Sequence, residues 1–130
     1  MGTKDIEQVM IGVCESLNIV PLANIYVPED YPEGVSERIV IHVKRQTRGD
    51  IFYKGFVEVN YVCPDDNGRA DHAKLQTAEA TMFNAFRYDV VGTFGTDTYR
   101  YGLESIQTFA EENAKYHYVN ARLLFEQLNI

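Results

Sequence analysis

The chain has 130 residues, 45% of them hydrophobic, and a formal charge of −7. A core of that size buries roughly two-thirds of the surface an unfolded chain exposes, so the length predicts one domain spanning 1–130. The acidity excludes a protein that wraps DNA or RNA by charge alone.

From Lys4 to Leu17 the apolar residues Ile6, Val9, Met10, Val13, Cys14 and Leu17 recur with helical spacing, leaving Asp5, Glu7, Gln8 and Glu15 for the other side. Asp5 and Glu7 suit the positive end of a helix dipole, and Asn18 is a stop. No apolar leader segment stands here: Lys4, Asp5 and Glu7 interrupt the run, and no stretch of the chain reaches membrane-spanning length. Three prolines then break up "IVPLANIYVPEDYPEGVSE", in which Leu22 to Val27 fit a short strand that Pro28 ends.

Two alternating stretches follow. "ERIVIHVKR" sets Ile39, Ile41 and Val43 against Val40, His42 and Lys44, and "FYKGFVEVNYVC" sets Val57, Val59, Tyr61 and Cys63 against Glu58, Asn60 and Val62. They read as an antiparallel pair turning within "RQTRGD". The basic residues Arg38, Lys44, Arg45, Arg48 and Lys54 suit a solvated hairpin tip. Beyond it, Leu75, Ala78, Met82, Phe83 and Phe86 mark one face of a second helix within 70–87. The stretch from Gly92 to Gly95 reads as a break, and two strands, 98–109 and 116–128, close the chain. The order α-(β)-β-β-α-β-β predicts an α+β fold: an antiparallel sheet of four to five strands with both helices on one face. In the first closing strand, Tyr99, Tyr101 and Leu103 share a parity that Ile106 does not, which predicts a β-bulge or break near Gly102 to Ser105.

The stretch "VNYVCPDDNGRADHAK" has a metal loop's composition. As a calcium loop it fails, because aligning Gly68 with the loop glycine puts Lys74 where a carboxylate is needed. A zinc site from Cys63 and His72 needs two more ligands from His42, His117, Cys14 or a distant carboxylate. The turn reading explains more: Pro64 ends a strand, Asp66-Asn67-Gly68 turns the chain, and Asp71 caps a helix opening near His72. Cys14 and Cys63 fall on inward faces and read as reduced, buried thiols. "VVGTFGTD" follows a helix rather than leading into one, so it reads as a flexible connection, not a phosphate loop. Glu104, Glu111, Glu112 and Glu126 read as solvated carboxylates. No catalytic or cofactor-binding motif is present in the sequence.

Tyrosines exceed what one core needs. Tyr99, Tyr101, Tyr116 and Tyr118 fall on the last hairpin and Tyr53 and Tyr61 on the preceding strand, which points to self-association. Two candidate interface patches stand out: Tyr53, Tyr61, Tyr116 and Tyr118 on the solvent side of the sheet, and the loop Asn24 to Val35 with Tyr26, Pro28 and Tyr31.

In order, length and pattern, the whole chain resembles the tail-terminator or tail-completion proteins of long-tailed bacteriophages and their relatives among phage neck proteins. The features that carry this are the first helix, the loop "NIYVPEDYP", the strands "ERIVIHVKR" and "FYKGFVEVNYVC", the helix "HAKLQTAEATMFNAFR" and the closing strand "YHYVNARLLFEQL". The resemblance implies a structural protein of a phage or prophage, with no catalytic residue, cofactor or metal. It would form a ring, typically hexameric, that caps the tail tube, meets tail-tube and neck proteins, and lets DNA pass without binding it specifically. It would sit in the host cytoplasm during assembly and then in the virion. Two alternatives stand beside it: a small metal-dependent hydrolase or nuclease using Asp65, Asp66, Asp71 and His72, and a monomeric binding module using the 18–36 loop.

Overall fold

The computed structural model describes residues 1–28, 36–44, 47–48, 53–111, 113 and 115–128. Helix α1 (Thr3–Ser16) precedes a 3-10 turn (Leu22–Asn24) and four strands: β1 (Ile25–Tyr26), β2 (Arg38–Val43), β3 (Thr47–Arg48) and β4 (Tyr53–Pro64). Helix α2 (His72–Phe86) is followed by β5 (Val90–Phe94), β6 (Asp97–Glu111) and β7 (Tyr116–Gln127). The strands form one sheet in the order β1-β2-β4-β7-β6-β5, with β3 paired to β4. Every pairing is antiparallel except β1 with β2.

The fold is α+β with two helices on one face of the sheet, as the pattern predicts. Its described residues make seven strands rather than four to five. The largest miss is the segment read as a break. Val90 to Phe94 form an edge strand paired residue for residue with Tyr101 to Asp97, and Gly95, at φ +61°, turns the hairpin between them. Gly92 is no breaker, because the ring of Tyr99 on β6 lies over it and fills the space a side chain would take. The proposed Leu22 to Val27 strand shrinks to Ile25–Tyr26, since the first three residues coil into the 3-10 turn. Of the basic residues read as a solvated hairpin tip, Arg38 is instead buried at the start of β2, and Arg48 pairs in β3 with β4; residues 45–46 and 49–52 lie outside the described residues.

Local chemistry sets the helix ends. Asp5 accepts a hydrogen bond from the Gly2 N–H at 2.9 Å, satisfying one of the donors that the first turn of α1 leaves open. Asn18, at φ +57°, takes the left-handed conformation that ends it. Asp71 caps α2 by accepting from the Lys74 N–H at 3.2 Å. Before it, Asn67 and Gly68 both have positive φ (52° and 75°) in a two-residue turn bridging Asp66 to Arg69. That is the geometry Asn-Gly favours.

The core lies between the helices and one face of the sheet. Ile6, Met10 and Cys14 of α1 and Leu75, Ala78, Met82 and Phe86 of α2 meet Ile39, Ile41, Val57, Val59, Tyr61, Val119, Ala121, Leu123 and Phe125. A fully buried large apolar side chain contributes roughly 1.5–3 kcal/mol, so this stripe dominates the docking of each helix. Two residues depart from the helical patterns. Phe83 is 43% exposed because it lies one step off the Leu75, Ala78, Met82, Phe86 line, and the Arg87 guanidinium sits 6.0 Å from its ring. Glu7, expected outside, is buried beside Ile6 and paired with Lys4 at 3.0 Å. Beyond the aliphatic stripe, Tyr99, Tyr101 and Phe125 stack at 5.2–6.1 Å, and Phe86 meets Tyr101 edge-on at 6.2 Å.

The predicted bulge is present. Leu103 pairs with Leu123 while Ser105 pairs with Arg122, so Glu104 is the extra residue. That insertion turns Tyr99, Tyr101, Leu103 and Ile106 all toward the helices.

Replacing Gly92 with Val drives a side chain into the stacked Tyr99 ring. The expected loss is about 1–3 kcal/mol in urea unfolding; an unchanged midpoint would mean the ring moves aside freely. Both cysteines are free and buried, so native protein should resist thiol reagents. Burial pushes the Cys14 thiol from 9.0 up to about 12 and the Tyr101 hydroxyl from 10.0 to about 12. Raised folded values mean stability that is whole below pH 9 and lost as the pH climbs toward 12. The unfolding midpoint should therefore fall over that window, and Cys14→Ala should flatten the fall while lowering stability at pH 7.

Candidate protein interface

The sheet face away from the helices has no cover among the described residues. It carries the alternate residues of the same strands: Arg38 and Val40 of β2, Glu58, Asn60 and Val62 of β4, and Tyr116, Tyr118 and Asn120 of β7. These line a groove of about 400 Å³ with Phe109 and Glu111 of β6. Phe109 and Tyr118 stack at 5.4 Å with their planes 28° apart, and Phe109 is 39% exposed. Without the bulge Phe109 would point at the helices; the extra residue in β6 places it beside Tyr118.

The groove floor is organised by polar contacts. Asn120 donates from Nδ2 to Glu58 Oε2 at 2.8 Å and to Asn60 Oδ1 at 2.7 Å. The other Glu58 oxygen lies 3.3 Å from Lys44 Nζ. Arg122 lays its guanidinium over the Phe56 ring at 3.9 Å, with Nε 3.4 Å from Glu104 Oε2. Farther along, Arg100 Nη2 donates to Glu126 at 2.9 Å. Charges on this face are thus largely paired, and its apolar parts are aromatic. Burial, then the nearby Glu111, Tyr116 and Glu58, push the Tyr118 hydroxyl up. It stays a neutral hydrogen-bond donor at ordinary pH.

The structure sorts the tyrosines named from the sequence. Tyr116 and Tyr118 are on the open face as expected, half-buried in the groove wall. Tyr26, also half-buried, is in register with Val40 and so shares that side of the sheet; Pro28 follows two residues on. Tyr61 is not on the solvent face. It belongs to the parity of Val57, Val59 and Cys63, is 2% exposed under the helices, and burial first, then Cys63 and Glu37, push its hydroxyl up. Tyr53 opens β4 opposite Arg48, and its side chain lies outside the described residues, as does Tyr31. Sequence reasoning missed Phe109, Arg38 and Asn120. Counting parity through the bulge would have found Phe109.

Of the residues weighed for metal chemistry, the three aspartates are engaged otherwise and His72 is exposed at the start of α2. Asp65 Oδ1 lies 2.7 Å from His117 Nδ1, Asp66 closes the tight turn, and Asp71 is the cap of α2. No group of three His, Cys, Asp or Glu among the described residues is placed to hold a metal ion. Of the carboxylates considered, Glu104 and Glu126 pair with arginines, Glu111 lines the groove, and Glu112 lies outside the described residues. No described helix is long and apolar enough to cross a membrane.

No family model and no curated protein matches the sequence. Sixteen solved chains match in fold. One, which bears a serial designation in place of a functional name, has a TM-score of 0.64 at 17% identity, covering 98% of this chain and 96% of its own. The likeness establishes the fold as one shared end to end.

If the Asn120 amide organises the groove, Asn120→Ala should lower stability by about 1 kcal/mol. Urea unfolding measures it, and an unchanged midpoint would mean that water already satisfies Glu58 and Asn60.

Proposed function

We propose that this protein is a structural component of a phage or prophage tail, forming a ring at the head-proximal end of the tail tube and joining tail to head. The observation that carries the proposal is the open sheet face, where a stacked Phe109–Tyr118 pair stands in a groove whose floor is tied together by Glu58 with Asn120 and Lys44. Aromatic residues with satisfied polar groups are what protein interfaces concentrate, and an uncovered aromatic face gains stability when a partner excludes water from it. The resemblance in element order and length to tail-terminator and neck proteins supplies the biological setting.

In this reading Tyr116, Tyr118 and Phe109 form one half of a head-to-tail contact. The segment bearing Tyr26 and Pro28 belongs to the other half on the neighbouring subunit. Two different patches meeting with a rotation that closes give a ring. The partners are further copies, six in all as is typical of the families it resembles, and then tail-tube and neck proteins. DNA passes through the ring without specific contact, consistent with a chain of charge −7.

The test is association across about a hundredfold concentration range by sedimentation, with rings sought by electron microscopy. The wild type should close into rings as the concentration rises, and Tyr118→Ser combined with Phe109→Ser should form no ring, with its fold intact. A wild type that stays monomeric throughout and forms no ring on tail ends removes this proposal and favours the monomeric binding module.

A further inference from the structure

The sheet ends on one side at β5, and among the described residues nothing pairs with its outer edge. An edge strand exposes alternate backbone N–H and C=O groups, and proteins ordinarily blunt such edges with lysine, proline, a bulge or a covering loop. Here the strand reads VVGTF, with no charge and no proline, and pairs without a bulge over all five residues. Val91 is 62% exposed on it. Tyr88, two residues before the strand, is 71% exposed, and the Arg87 guanidinium lies 4.7 Å from its ring. With Phe83 this end of the molecule carries three of the five exposed large hydrophobic residues among those described.

We propose that β5 is a docking edge for a second copy of this chain, adding the partner's β5 antiparallel about a two-fold axis at Gly92. A second copy fits because its own β5 is the same length and equally unprotected. The opposite edge of the sheet cannot take this strand: β1 has two residues, and Pro28 just beyond it lacks an N–H. With Gly92 opposite Gly92, Val91 meets the partner's Thr93 on one face and Val90 meets the partner's Phe94 on the other. The exposed Val91 becomes a cross-strand contact, and each Tyr99 ring already covers the glycine at the crossing. This contact is isologous and joins two copies only. It uses a different surface from the open face and stands or falls separately from the ring.

Mixing Val91→Cys with Thr93→Cys protein under mild oxidation tests it. The register predicts a covalent dimer in the mixture and little in either variant alone, because like positions are diagonal and too far apart to bridge. The buried Cys14 and Cys63 leave the wild type as an uncrosslinked control. Val91→Lys, at an exposed position, should keep the unfolding midpoint and abolish dimers in sedimentation, whereas Tyr118→Ser should leave the crosslink intact. No crosslink in the mixture, or equal crosslinking in all three samples, overturns the proposal.

Discussion

The pairing of β4 with β7 governs the rest of the molecule. Eleven consecutive residue pairs, from Lys54 with Glu126 to Pro64 with Tyr116, run without interruption. Along them Val57, Val59 and Tyr61 stand beside Leu123, Ala121 and Val119, all under the helices. A slip of one residue would turn one strand's share of that set outward, bringing either Glu58 and Asn60 or Asn120 and Arg122 beneath the helices, so the register has no near competitor. Both helices then have one place to dock, and the opposite face is left to the polar and aromatic residues between.

That face owes its character to a single inserted residue. Up to Leu103, β6 follows the parity of the core; Glu104 shifts the register, and Phe109 emerges on the open side against Tyr118. The bulge therefore serves the core and the surface together. It holds Ile106 inside and supplies the aromatic wall of the groove. The glycines near this end act similarly. Gly92 makes room for the Tyr99 ring, and Gly102 makes room for the Asp89 carboxylate that reaches across from the end of α2.

Much of this was legible in the sequence, for identifiable reasons. The helical stripe of α1, the alternation in β2 and β4, the Asn-Gly turn and the Asp71 cap are local signals that tertiary contacts reinforce. The bulge was legible because two parities in one strand cannot both face a core. What was not legible depended on partners distant in sequence. Gly92 looks like a breaker until Tyr99 is seen over it. Glu7 looks external because helical spacing alone does not show how far the core wraps. Tyr61 was counted with the surface rings although its own alternation placed it with Val57 and Val59. The sequence marked Tyr116 and Tyr118 but not the groove they line, since Arg38, Asn60, Phe109 and Asn120 come from four strands and meet only through the register.

The central claim is that the open face is a subunit contact, and hydroxyl-radical footprinting tests it directly by reading individual side chains as the protein concentration rises. Oxidation of Phe109, Tyr116 and Tyr118 should fall on association while that of Leu22, exposed elsewhere on the surface, stays constant. Unchanged reactivity of the three aromatic residues in a protein shown to have closed into rings would contradict the claim.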